Sequence, residues 1–301
     1  MKSTDNGRGG PRINLHTHTF RCKHAVGTVD EYCRAAVAAD VAVLGFTEHS
    51  PFPDGEYSGD RMAFAELPEY LRDIEAARRD YPQMLILSGL ELDWRPALGK
   101  SFYENELIGR FGLDYVIAGA HSLPASGGRP ALHIGKVPKP MPLPLLRAFV
   151  RETVEVMETG LLAYMAHPDL SAGGLWSWTP EVRSAYREIV DAAAALHVPL
   201  ELNAYGLRKP MMDTPEGPRP RYPWRKFWEL VAEHGGAEVV IGADAHRPED
   251  VWSNMDDVFA LAAELGLPTA NREVAERIIR RRGERTRSAA EADVSRNGAK
   301  K

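Results

Sequence analysis

Seven short apolar runs, separated by stretches of helical pattern, each end in or beside a residue that can hold a metal or carry a proton. Residues 13–15 lead into His16 and His18, 41–46 into Thr47, Glu48 and His49, and 84–90 into Glu91 and Asp93. Residues 115–120 lead into His121, 161–166 into His167 and Asp169, 198–202 carry Glu201 and reach Asn203, and 237–242 lead into Asp244 and His246. Between them the helix signals are local and chemical. Thr28 and Glu31 form a capping box for a helix to about residue 40, and Thr179 precedes Pro180 as N-cap and first helical residue of a helix to His197. Further helices are expected over 67–80, 103–111, 145–159 and 222–233. Strands that alternate with helices form a parallel sheet, and seven such units in series predict a closed (β/α)7 barrel of parallel strands within an α/β fold. An open doubly wound sheet is the alternative. In such barrels the chemistry sits at the C-terminal strand ends, where these residues fall.

The other bounds are permissive. At 301 residues with 44% hydrophobic and 26% charged residues, the chain can bury one barrel-sized core. A net charge of −5 supplies no global basic field for nucleic acid or an anionic membrane. No apolar run spans a bilayer and no secretion signal is visible, which with only two cysteines, Cys22 and Cys33, points to a cytoplasmic protein. Residues 1–11 read as a disordered tail, 12–283 as one domain, and 284–301 as a polar, flexible tail.

His16 and His18, two apart on a strand, share one face. Together with His24, His49, Glu91, His121, His167, Asp244 and His246 they make seven imidazoles and two carboxylates at one end of the sheet. Crowded and buried, such groups are costly without a cation to share. Two or three divalent ions resolve this, and the nitrogen–oxygen donor set suits Zn, Mn or Fe. Cys22 is either a soft additional ligand or a small loop residue. Glu48, beside His49, can orient a ligand from behind.

In chain order, His16-x-His18, His24, Thr47-Glu48-His49, Glu91, His121, His167 and Asp244-x-His246 resemble the PHP (polymerase and histidinol phosphatase) family over roughly residues 13–250. The resemblance implies a distorted seven-stranded (β/α) barrel with a trinuclear metal centre. It implies that His16, His18, Glu91 and Asp244 hold one ion, that Glu91 bridges to a second held with His121 and His167, and that His24, His49 and His246 hold a third. Within the family, Gly45-Phe46-Thr47-Glu48-His49-Ser50-Pro51 and the stretch from Glu201 to Lys209 most resemble monofunctional histidinol-phosphate phosphatases. Gly119-Ala120-His121-Ser122 and the Pro-rich loop behind it depart from that pattern.

The function implied is a metal-dependent phosphomonoesterase acting on a small-molecule phosphate ester, foremost L-histidinol phosphate in histidine biosynthesis. Metal ions acidify water toward neutrality for in-line attack on phosphorus. Asp244 and His246 are candidate proton donors to the leaving group, Glu91 the bridging carboxylate, and Arg208 and Lys209 candidate phosphate clamps, with Arg21 and Lys23 behind them. Residues 122–144 and 206–223 are long loops after strand ends and are expected to act as lids. His133 and the pair Trp176 and Trp178 could reach the pocket, whereas His197 and His234 close helices. A second reading is action on nucleotides or oligonucleotides, using the basic, aromatic stretch 208–228 with Tyr222, Trp224, Phe227 and Trp228. A third is a metal-binding module without turnover.

Overall fold

The computed structural model describes residues 10–123 and 132–298. Strand β1 (Arg12–Asn14), helix α1 (Val29–Ala38), β2 (Val41–His49), α2 (Leu67–Asp80) and β3 (Leu85–Leu92) follow in order. A short helix α3 (Gly99–Ser101) runs into a π-helix (Phe102–Arg110) before β4 (Tyr115–Ala118). Next come a two-stranded antiparallel pair, β5 (Ser122–Leu123) and β6 (Leu132–His133), then α4 (Leu143–Glu158) and α5 (Pro180–Leu196). β7 (Leu200–Asn203), α6 (Arg225–His234), β8 (Val239–Gly242), α7 (Met255–Glu264) and α8 (Asn271–Gly298) complete the chain.

β1 to β4 form a parallel sheet in chain order, and β7 and β8 pair in parallel. Met165 bridges Ala118 on one side and Leu200 on the other, and Thr17 bridges Ala245. The sheet therefore curls into a parallel half-barrel, its order rising steadily with none of the reversal a doubly wound sheet would need. The expected strand over 161–166 is reduced to that one bridging residue. Gly160 leaves α4 at φ +69° and His167 turns away at φ +28°, so little extended backbone fits between them.

Helix ends follow the local chemistry. Thr28 Oγ1 accepts from Glu31 N (3.3 Å) while a Glu31 oxygen accepts from Thr28 N (2.7 Å). Thr179 accepts from Val182 N, and His197 closes α5 in the left-handed conformation. The helix expected from 222 starts at Arg225 instead. The expected tail needs a larger correction, because α8 runs unbroken through residue 284 to 298. Its Ala-rich, charged composition is also good helix composition. Arg285 ties it down by donating to the carbonyls of Leu113 (2.7 Å) and Asp114 (2.8 Å). The expected N-terminal tail and the last three residues lie outside the described residues, apart from 10 and 11.

Two apolar layers result. The larger packs the helices against the outside of the sheet; the smaller fills its inside with Ile13, Leu15, Leu87, Ile117 and Val240, closed below by Val274 and Ile278 of α8. Tyr115 and Tyr164 cross this interior and both donate to Leu15 O at 2.8 Å, directly beneath His16. A Cβ at Gly45 would lie 2.0 Å from the Tyr115 hydroxyl, so that position must lack one. Among the described residues, no helix is long and apolar enough to cross a membrane. Cys22 and Cys33 are buried free thiols.

Glu152, on the inner face of α4, is buried with one carboxyl oxygen unpartnered. Burial, then the neighbouring Asp93 charge, push its pKa from 4.5 to about 8. Between those values the unfolded chain binds fewer protons than the folded one, so this residue costs increasing stability as pH rises through that window. Glu152→Gln should unfold like the parent near pH 4.5 and be more stable by on the order of 2–4 kcal/mol above pH 8. Denaturant melts at the two pH values check this; a difference unchanged with pH would refute it.

Candidate metal centre

Strand ends bring the predicted cluster together. His16 and His18 extend β1, held by His18 N to Ala245 O (2.9 Å) on one side and Thr47 N to Thr17 O (2.9 Å) on the other. His49 is the last residue of β2 and stands opposite Glu91 of β3. His121 follows β4, His167 follows the Met165 bridge, and Asp244 and His246 follow β8. His24 comes from the loop after β1, its Nδ1 2.7 Å from Cys22 O. His167 (φ +28°) and Asp244 (φ +49°) adopt left-handed backbone, a strained choice that turns each side chain over the sheet end.

Around one point stand His16 Nε2, His18 Nε2, Glu91 Oε2 and Asp244 Oδ1. The imidazole nitrogens are 3.2 Å apart, His16 Nε2 lies 3.6 Å from each carboxylate oxygen, and His18 Nε2 lies 3.4 Å from each. A tetrahedron with bonds of about 2.0–2.1 Å has edges of roughly 3.3 Å, so this spacing fits a zinc-sized ion. Glu91 reaches further, with Oε1 2.8 Å from His167 Nε2 and 3.4 Å from His121 Nε2, and Oε2 3.2 Å from His49 Nδ1. Ligand atoms of His24, His49 and His246 lie within 4.8 Å of one another, as do those of His18, Cys22 and His246. Glu91 Oε2 and Asp244 Oδ1 are buried without hydrogen-bond partners. Orphaned carboxylate oxygens facing imidazole nitrogens are what a divalent cation would satisfy, so the donors fit the group.

The electrostatics agree. Burial would drive the proton off His16, but Glu201, Asp244 and Glu91 override it and hold the ring at about 10. At His121 burial is likewise overridden, by Glu91 and Asp93, to about 9. Burial and neighbouring imidazoles depress His24 to about 4 and push His49 well below its usual range. Glu91 and Asp244 stay ionised against burial because histidines surround them. Without metal the cluster must gather protons, and metal uptake displaces them.

Residues behind the cluster fix its orientation. Glu201, fully buried, takes His16 Nδ1 at 2.8 Å and His167 N at 3.1 Å, leaving His16 Nε2 for the centre. A Cβ on Gly242 would lie 1.9 Å from that carboxylate, so a bare backbone admits it. Asp93 joins His121 Nδ1 (3.1 Å) to Arg61 (2.8 Å). Glu48 accepts from Thr19 N at 2.6 Å and lies 3.8 Å from His18 Nδ1. Tyr205 stacks on His246, ring centroids 4.5 Å apart. Glu201 and Asp93 were visible as strand-end acids; nothing local separates a carboxylate that orients from one that ligates.

The cluster floors a cavity of about 540 Å3, walled by both long loops. Lys139, Lys209 and Arg221 give it a cationic side, and His133 and Asp60 also face it. Residues 124–131 of the first loop lie outside the described residues. Arg208 is not among the lining residues. It donates to Ser253 O (2.9 Å), Ala243 O and Asp244 O (3.1 Å), bracing the turn that carries Asp244, because the short helix Tyr205–Arg208 points it under that turn. Arg21 is bound to Glu69 and Asp73, and Lys23 to Ser58 O. Trp176 is exposed and Trp178 packs on Tyr186 and Trp224, away from the cavity. His234 caps α6 beside Asp191. Trp224, Phe227 and Trp228 are core residues, whereas Tyr222 of the same stretch lines the cavity beside Arg221.

Fold and site together define a class, that of α/β proteins whose curled parallel sheet carries, at its C-terminal end, a buried histidine–carboxylate cluster that fits metal ions. A family model described as PHP domain matches residues 14–204. The chain is 30% identical over 254 residues to the "Probable histidinol-phosphatase" of Deinococcus radiodurans, covering 83% of this chain and 92% of that protein. It is 31% identical over 86 residues to the histidinol-phosphatase of Bacillus subtilis, covering 26% of this chain and 32% of that protein. The histidinol phosphate phosphatase of Lactococcus lactis, solved with zinc, L-histidinol and phosphate, superposes with a TM-score of 0.65 at 19% identity, covering 85% and 94% of the two chains. This chain belongs to the PHP family.

Gly119 lies against three side chains of the cluster at once. An added Cβ would meet His121 Cε1 and His167 Cε1 at 2.5 Å and Glu91 Oε1 at 2.6 Å. Gly119→Ala should fold with a loss of about 1–3 kcal/mol yet retain less metal than the parent after dialysis. Elemental analysis beside thermal melts reads both; parental metal content would refute the crowding argument.

Proposed function

We propose that this protein is a metal-dependent phosphomonoesterase acting on a small phosphate ester, foremost L-histidinol phosphate in histidine biosynthesis. The observation that carries the reading is the set of orphaned Glu91 and Asp244 oxygens, at ligand spacing from His16 and His18, under a cavity with a cationic wall. The cavity's size suits a small ligand. The histidinol-phosphatase names among the relatives support the substrate.

In this reading His16, His18, Glu91 and Asp244 hold one divalent ion, Glu91, His121 and His167 a second, and His24, His49 and His246 a third, on the family's distorted seven-stranded barrel. Bound there, the ions supply Lewis-acid chemistry that neutralises phosphoryl charge and acidifies water. Lys209, with Arg221 and Lys139 beside it, holds the phosphoryl oxygens; its ammonium is set over the Tyr205 ring at 3.7 Å. Arg208 acts indirectly by bracing Asp244. Water oxygen bonds to phosphorus as the ester P–O bond breaks, and the water's proton balances the departing alkoxide. Asp244 and His246, with Oδ1 3.3 Å from Nδ1, line the cavity and are placed to pass that proton. The two loops limit water.

Phosphate release from L-histidinol phosphate with Mn or Zn, beside a nucleotide and an aryl phosphate, is the direct test. Selective release, lost in His18→Ala, is expected. Release from only the other esters would overturn the substrate, and metal binding with no release from any would support a non-catalytic module. Lys209→Ala should raise KM about tenfold with kcat nearly unchanged; an unaltered KM would remove Lys209 from the phosphate site.

A further inference from the structure

A second cavity, of about 310 Å3, opens at the other end of the sheet. Its walls are the first residue of β4, Tyr115, the segment 161–163 ahead of the Met165 bridge, His197 ahead of β7, and one face of α8. These are the N-terminal strand ends, so the cavity lies beneath the interior, and the interior tyrosines separate it from the histidine cluster.

Three arginines line it from α8: Arg277, Arg281 and Arg285. Spaced four apart they share one helix face, where like charges repel unless something neutralises them. Arg277 has Glu238 at 2.8 Å. Arg285 gives one terminal nitrogen, Nη2, to the uncharged carbonyls of Leu113 and Asp114, and the acid near its charge is Asp114. Asp114, the acid in the cavity wall, already faces Arg78 and Arg282 (3.3 Å). Arg281 has no carboxylate partner among the described residues. Burial lowers the Arg285 pKa; Asp114 opposes the fall, and Arg281 and Arg282 add to it.

We propose that this floor cavity is a binding site for a small oxyanion of the phosphate type, gripped by Arg281 and Arg285. Planar guanidinium forks match phosphate oxygens, and Leu161, Leu162 and Leu196 line the cavity beside them. The site is independent of the phosphatase reading, because it shares no residue with the histidine cluster.

The test is calorimetric titration of inorganic phosphate into the metal-loaded full chain, with sodium chloride at equal ionic strength as the blank. The proposal expects a phosphate site that persists in His18→Ala, weakens at least tenfold in Arg281→Glu, and recovers in part in Arg281→Lys. Thermal melts without phosphate establish that each variant is folded. Parental binding by Arg281→Glu, or disappearance of every phosphate site in His18→Ala, would overturn it.

Discussion

Glu91 ties the histidine cluster together. One carboxylate oxygen faces His16, His18 and His49, the other His121 and His167, so five imidazoles from four separate chain segments meet through a single side chain. Fully buried, that carboxylate would be strongly disfavoured alone, and so would the rings around it. Each makes the other tolerable, and the oxygens left over on Glu91 and Asp244 are donors that a cation would satisfy.

Much of the surrounding fold serves this arrangement. Tyr115 and Tyr164 fix the carbonyl below His16, and Glu201 fixes the ring itself. Glycines stand where no Cβ can be accommodated: at 45 against Tyr115, at 119 against the histidines, and at 242 against Glu201. The cluster is thus supported on a hydrogen-bonded floor, and the two long loops furnish the cationic wall above it. That division of labour is the usual one for strand-end sites.

Several elements were legible because their cause is local. The capping box at Thr28, the Thr179–Pro180 helix start and the alternation of apolar runs with helices rest on neighbours within a few residues. The segment before His167 was misread as a strand because backbone turns at Gly160 and His167, invisible in apolarity, leave room for one bridge only. The C-terminal stretch was misread as frayed because its anchor, Arg285 on Leu113 and Asp114, joins residues more than a hundred and seventy positions apart.

By itself the sequence determined the class of fold and the donor set: apolar period and strand-end chemistry are properties of order along the chain. Only the tertiary structure decided what each charged side chain faces. Arg208 and Lys209 are adjacent in sequence, yet one braces the Asp244 turn and the other lines the cavity. Trp224, Phe227 and Trp228 look like a binding surface and are core. Side-chain direction depends on the turn each residue occupies and on the partner waiting there, and those partners come from distant chain segments.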